Sequence, residues 1–145
     1  ITQGETFRDR LLNLAVFFWS GRAGEYQAMQ HDAMQHMPHE RIPELRLTIL
    51  ESVVNPLLDL MRSGIASGVL PAHADPYALM ELFWALIDGF TGIYHRGDPL
   101  PPPERNTAPI DLFLAGAHAI SAETYSSWPQ LPPLDALKRD AVQPT

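Results

Sequence analysis

Three histidines and two carboxylates crowd the stretch QHDAMQHMPHE, residues 30–40, and such a cluster raises the question of a metal ion. Ligands on a helix must share a face. His31 and His36 are five residues apart, which turns them to different faces, and Pro38 interrupts the geometry before His39. No metal is expected here, only solvated histidines or one hydrogen-bonding group at a pocket wall. Glu81 and Asp88 form a second carboxylate pair, seven residues apart on one helix face and so roughly 10 Å apart by helical rise. Their apolar surroundings suit a solvated stripe or a hydrogen-bonding seam between copies better than paired acid and base chemistry. Ser, His and Asp occur, but no nucleophile sits in a strand–turn–helix setting and no glycine-rich phosphate loop is present. Neither catalysis nor a cofactor is expected.

Binding is a better prospect. Phe18, Trp19, Tyr26, Met29, Met34, Met37, Met61 and Trp84 are bulky, adaptable side chains of the kind that line pockets for flat or greasy ligands. Any one of them would serve equally well as plain core. As a group they carry more weight, because four of the five methionines lie between Met29 and Met61.

Composition limits what these residues can belong to. The chain has 145 residues, 46% hydrophobic and 19% charged, as expected of one globular domain able to bury a core. Ten Lys and Arg against seventeen Asp and Glu give a net charge of −7, which denies this chain the basic footprint needed to hold a nucleic-acid backbone. The absence of cysteine fits a reducing compartment, and the cytoplasm is the expected location. No apolar run approaches the roughly 18 residues needed to span a bilayer, so no membrane partner is expected. Residues 8–19 have a basic start and a short greasy run, like a weak signal peptide, but Phe7, Leu11, Leu14 and Phe18 recur at helical spacing and favour an amphipathic helix. The chain opens at Ile1 without an initiator Met, which suggests a piece of something longer.

The pattern predicts an all-α fold, a bundle of about five to six helices, since no segment alternates β-branched or aromatic with polar residues. The first helix spans about Glu5 to Trp19, with Thr2 and Glu5 as a candidate capping box and Gly21 as its stop. A second runs from Ala23 to Met37. A third starts near Pro43, is bent or divided at Asn55-Pro56, and ends at Gly64 and Gly68. The fourth covers Asp75 to His95, and the fifth about Thr107 to Thr124, after a proline-rich loop from Gly97 to Pro103. Residues 1–124 form the domain. Residues 125–145 read as a proline-rich tail, with a short turn at Leu134 to Lys138 and Trp128 as a candidate anchor.

The fourth helix is the unusual one. Leu79, Phe83, Leu86, Phe90 and Ile93 make one apolar stripe, and Met80, Trp84, Ile87, Thr91 and Tyr94 a second beside it. An apolar surface this wide needs cover on more than one side. In the fifth helix Ala115, Gly116, Ala119 and Ala122 keep one sector thin, so that another helix can approach closely. Together the last two helices are expected to be half of an intermolecular four-helix bundle in a homodimer, with Leu86, Phe90, Ile93, Phe113, Gly116 and Ala119 at the interface.

The order of several short motifs resembles a known family. Asn55-Pro56-Leu57-Leu58, then Arg62-Ser63-Gly64-Ile65-Ala66-Ser67-Gly68-Val69-Leu70, then Asp75-Pro76, the apolar helix, Arg96-Gly97-Asp98-Pro99-Leu100 and Ile110-Asp111-Leu112-Phe113-Leu114-Ala115-Gly116 are similar to the C-terminal domain of TetR-type transcriptional regulators. The resemblance covers about residues 5–124. It implies an all-helical homodimer that binds a small effector inside each subunit and pairs through its last two helices. It also implies that operator DNA is reached only through an N-terminal helix-turn-helix module, which nothing in this chain matches. The competing expectation is a helical homodimeric interaction module with no small-molecule site.

Overall fold

The computed structural model describes residues 5–21, 32 and 35–130, and every regular element among them is helical. The expected second helix, 23–37, lies almost wholly outside the described residues, as do Thr2, His31 and the tail beyond Gln130.

Helix α1 spans Phe7–Trp19. Its capping box is one turn later than the expected Thr2 and Glu5: Asp9 N donates to Thr6 Oγ1 at 3.0 Å, and Thr6 N donates to Asp9 Oδ2 at 3.1 Å. Asp serves in place of Glu because its shorter side chain still reaches the cap amide. Ser20 closes the helix, and Gly21 turns left-handed at φ 87°.

A single 3₁₀ turn, His39–Arg41, leads into helix α2, Ile42–Ile49, with Pro43 in its first turn. The chain then widens into a π-helical turn, Leu50–Val54, before helix α3, Asn55–Ala66. The division falls where Asn55-Pro56 predicts it. Pro56 has no N–H to give to the preceding turn, and the wider π turn absorbs the break in register. Gly64 does not end α3. It lies buried within the helix, where a Cβ would stand 2.7 Å from the Phe7 ring and 2.8 Å from Leu70 Cδ1. The stop is Gly68, at φ 84°.

Helix α4, Pro76–Arg96, is bounded as its sequence demands. Asp75 accepts from the amides of Tyr77 and Ala78 at 3.4 and 3.3 Å, and Gly97 closes the helix in the left-handed region at φ 76°. After a 3₁₀ turn at Pro103–Arg105, helix α5 covers only Ala108–Ala119. The expected continuation to Thr124 fails at Ile120, which is extended, and Ser121 caps a separate short helix α6, Ala122–Ser126. The alanine-rich sequence could continue as helix, but Ser121 Oγ captures the Thr124 amide at 3.1 Å and restarts the chain in a new direction.

The core gathers Leu11, Ala15, Phe18 and Trp19 of α1, Leu57, Leu58 and Met61 of α3, Leu79, Phe83 and Ile87 of α4, and Ile110, Phe113 and Ala117 of α5. α4 runs through the middle and packs on α1, α3 and α5. The cover that this wide apolar surface needs on more than one side thus comes in large part from the helix's own chain. The aromatic-rich stripes of α4 are sheltered from within, and its outward surface is narrower than the sequence suggests. Tyr125, expected to begin the tail, is 2% exposed and part of the core.

Candidate functional site

The seam between α1 and α4 is an aromatic wall. Phe18 meets Trp84 edge-on, with centroids 5.1 Å apart, and Trp19 packs against both Phe90 and Tyr94 at 5.7 Å. Such pairs add about 0.5–1.5 kcal/mol each beyond the area they bury. Trp19 Nε1 donates to the Ile87 carbonyl at 3.2 Å, and Thr91 Oγ1 donates to the same oxygen at 2.8 Å, so this buried carbonyl serves two donors. Tyr94 continues the network. Its hydroxyl donates to Pro101 O at 2.6 Å and accepts from Asn106 Nδ2 at 3.1 Å, tying the proline-rich loop to α4.

Of the pocket residues expected from the sequence, Phe18, Trp19 and Met61 are buried, and Met61 is 0% exposed between the helices. Trp84 and Met37 are half-buried. Tyr26, Met29 and Met34 lie outside the described residues. The structure thus brings Phe18 and Trp84 into direct contact and sets Trp19, the next residue of α1, against Phe90 and Tyr94 further along α4. Sequence reasoning missed Tyr94 as a member of this wall. Its signal is the spacing Ile87, Phe90, Thr91, Tyr94, which keeps to one side of α4.

The outer face of α4 and α5 is the second feature. Leu86, Phe90 and Ile93 are half-buried, and Phe90 already stacks on Trp19. Gly116 is half-buried and Ala119 exposed. Phe113 is buried, with its ring 5.1 Å from Phe83 in the same chain. Leu112, absent from the sequence-based interface, is the most exposed large apolar side chain among the described residues, at 66%. Leu112 shares a face of α5 with Gly116 and Ala119, four and seven residues on, whereas Phe113 is turned about 100° from it toward Phe83.

The polar clusters are modest. His36 Nδ1 lies 2.9 Å from the Asp32 carbonyl and 3.2 Å from its carboxylate, all exposed, and no group of three His, Cys, Asp or Glu among the described residues is placed to hold a metal ion. Glu81 accepts from Trp128 Nε1 at 3.3 Å, so Trp128 anchors the segment after α6 against α4. Gln130 reaches the Asp75 cap at 2.5 Å. The Tyr125 hydroxyl donates to Ala117 O at 2.7 Å, and burial, helped by Asp75, raises its pKa above the usual phenol value. Burial, helped by Glu81, does the same to Tyr77.

No helix among the described residues is long and apolar enough to cross a membrane. Comparison with protein-family models, with curated proteins and with solved structures finds no match.

Proposed function

We propose that the chain is the effector-binding and dimerisation domain of a TetR-like transcriptional repressor acting in the cytoplasm. The effector is a small apolar or aromatic molecule held among the helices. Binding favours one arrangement of α1 and α3 over another, and that preference passes to an N-terminal helix-turn-helix module that reads operator DNA. The observation that carries the reading is where the family-like motifs fall. Gly68 and Asp75-Pro76 mark the end of α3 and the start of α4, Arg96 ends α4 and Gly97 to Leu100 follow it, and Ile110 to Gly116 lie on α5. The aromatic wall between α1 and α4 supplies the surface on which a flat ligand would stack.

A thermal-shift screen of apolar and aromatic compounds tests this. A ligand at a hundred times its Kd should stabilise the fold by about 2.7 kcal/mol and quench Trp19 or Trp84 fluorescence. Light scattering should give the mass of two chains. If no compound stabilises the protein, the effector reading fails.

The second reading, a helical homodimeric module with no small-molecule site, is favoured by one observation. Met61 and Trp19 are so completely buried that this part of the interior is packed by side chains. It predicts the same dimer with no ligand response.

A further inference from the structure

The exposed line of α4 is complementary to itself. Glu81, Ala85, Asp88, Gly89, Gly92 and Arg96 are separated by 4, 3, 1, 3 and 4 residues, a spacing that keeps all six on one face and reads the same from either end. Its midpoint falls between Asp88 and Gly89. All six are exposed except Gly92, which is half-buried. Opposite charges stand at the two ends, about 22 Å apart by helical rise, with small residues between.

A two-fold interface requires that when residue i of one copy meets residue j of the other, j also meets i. Laying a second α4 antiparallel on this line meets that condition: Glu81 faces Arg96, Ala85 faces Gly92, and Asp88 faces Gly89. The centre leaves room for close approach. A Cβ built on Gly89 meets nothing within 4 Å in its own chain, and one on Gly92 meets only the tip of Arg96 at 4.0 Å. Each end charge has one contact within its own chain. Trp128 Nε1 holds one oxygen of Glu81, and Asp98 touches Arg96 only through Nε, at 3.4 Å.

We propose that a second copy of this chain docks antiparallel along this line, about an axis between Asp88 and Gly89, with Glu81–Arg96 ion pairs at both ends. This rests on the homodimeric reading above but moves its α4 contact from Leu86, Phe90 and Ile93, which are half-buried on another side of the helix, to this exposed line. It also places the two Asp88 carboxylates on either side of the axis, where they repel each other.

Sedimentation equilibrium on the full chain and its variants tests the register. Gly89→Leu should abolish the dimer while circular dichroism shows unchanged helix content, because the added side chain enters open space in its own subunit. Glu81→Arg and Arg96→Glu should each weaken the dimer about fivefold, since every substitution strikes two symmetric pairs, and combining them should restore it. Asp88→Asn should tighten the dimer. A monomeric wild type would overturn the homodimer and this register with it. A wild-type dimer that survives Gly89→Leu, or whose single charge reversals are silent or not rescued by their combination, would overturn the register and leave the homodimer standing. Loss of helix in Gly89→Leu leaves the charge exchange as the deciding measurement.

Discussion

Arg8 and Asp111, 103 residues apart in the chain, meet as a two-pronged pair: Arg8 Nε lies 2.8 Å from Asp111 Oδ1, and Nη2 lies 3.1 Å from Oδ2. The contact pins the first turn of α1 to the first turn of α5. The fork geometry is the strongest form that such a pair takes, but both groups are exposed and screened by salt.

The pair makes an acid-limb prediction. The hydrogen bond and charge of Arg8 hold the Asp111 carboxyl below its ordinary range. A depressed folded-state pKa contributes stability above the unfolded carboxylate value, and that contribution is lost as pH falls through the folded value. Asp9 acts in the same sense, through its hydrogen bonds from Thr6. Urea midpoints measured from pH 5 downward should therefore fall, less steeply in Arg8→Gln and less steeply in high salt. Identical acid limbs for wild type and variant would show that the pair contributes nothing.

Gly64 tests the packing of α3 against α1. A methyl there gains about 1 kcal/mol of helix propensity but must push aside the Phe7 ring and the buried Leu70 at under 3 Å. Overpacking of this kind costs about 1–3 kcal/mol, so Gly64→Ala should destabilise by about 1 kcal/mol net. Chemical denaturation reads this directly, and a raised midpoint would mean that Phe7 yields without cost.

Tyr125 ties α6 to α5. Removing its hydroxyl in Tyr125→Phe leaves the Ala117 carbonyl without that donor and should cost about 1 kcal/mol near neutral pH. The alkaline side carries a sign. A phenol whose folded pKa is raised contributes stability that is complete below the unfolded value of about 10 and is lost as pH rises through the folded value. Wild type should thus lose more stability than Tyr125→Phe between pH 9 and roughly 12, and Tyr77 should account for part of the remainder. Parallel curves would contradict the role of burial.

Leu112 separates folding from assembly. Being 66% exposed, it contributes little to its own subunit, so Leu112→Glu should change monomer stability by no more than about 0.5 kcal/mol. In the proposed homodimer the same change places a charge beside Gly116 and Ala119 of the expected interface, and light scattering should report single chains. A dimer unaffected by Leu112→Glu would remove α5 from the interface.

The helix order and several boundaries were legible because their causes are local. Pro56 cannot donate a backbone hydrogen bond, Asp75 has the acceptor that α4 needs at its start, and Gly21, Gly68 and Gly97 tolerate the left-handed turn that ends a helix. These properties act within a few residues of chain. The position of the α1 cap was off by one turn because two Thr-containing boxes compete there, and the break at Ile120 was hidden by the alanines on either side of it, with Ser121 the one local signal of a new cap.

The all-helical character of the chain follows from its own periodicity, since apolar residues three and four apart gain burial only as helices. Which neighbour supplies that burial is a long-range matter. Periodicity marks Phe83, Phe90 and Phe113 as apolar alike, whereas packing sets Phe83 on Phe113, stacks Phe90 on Trp19, and leaves Leu112 outside. Those assignments depend on how α1, α4 and α5 cross, and a crossing is decided by contacts between residues far apart in the chain. The bidentate pairing of Arg8 with Asp111 and the burial of Tyr125 beneath the end of α5 arise for the same reason, because neither partner carries any local sign of the other.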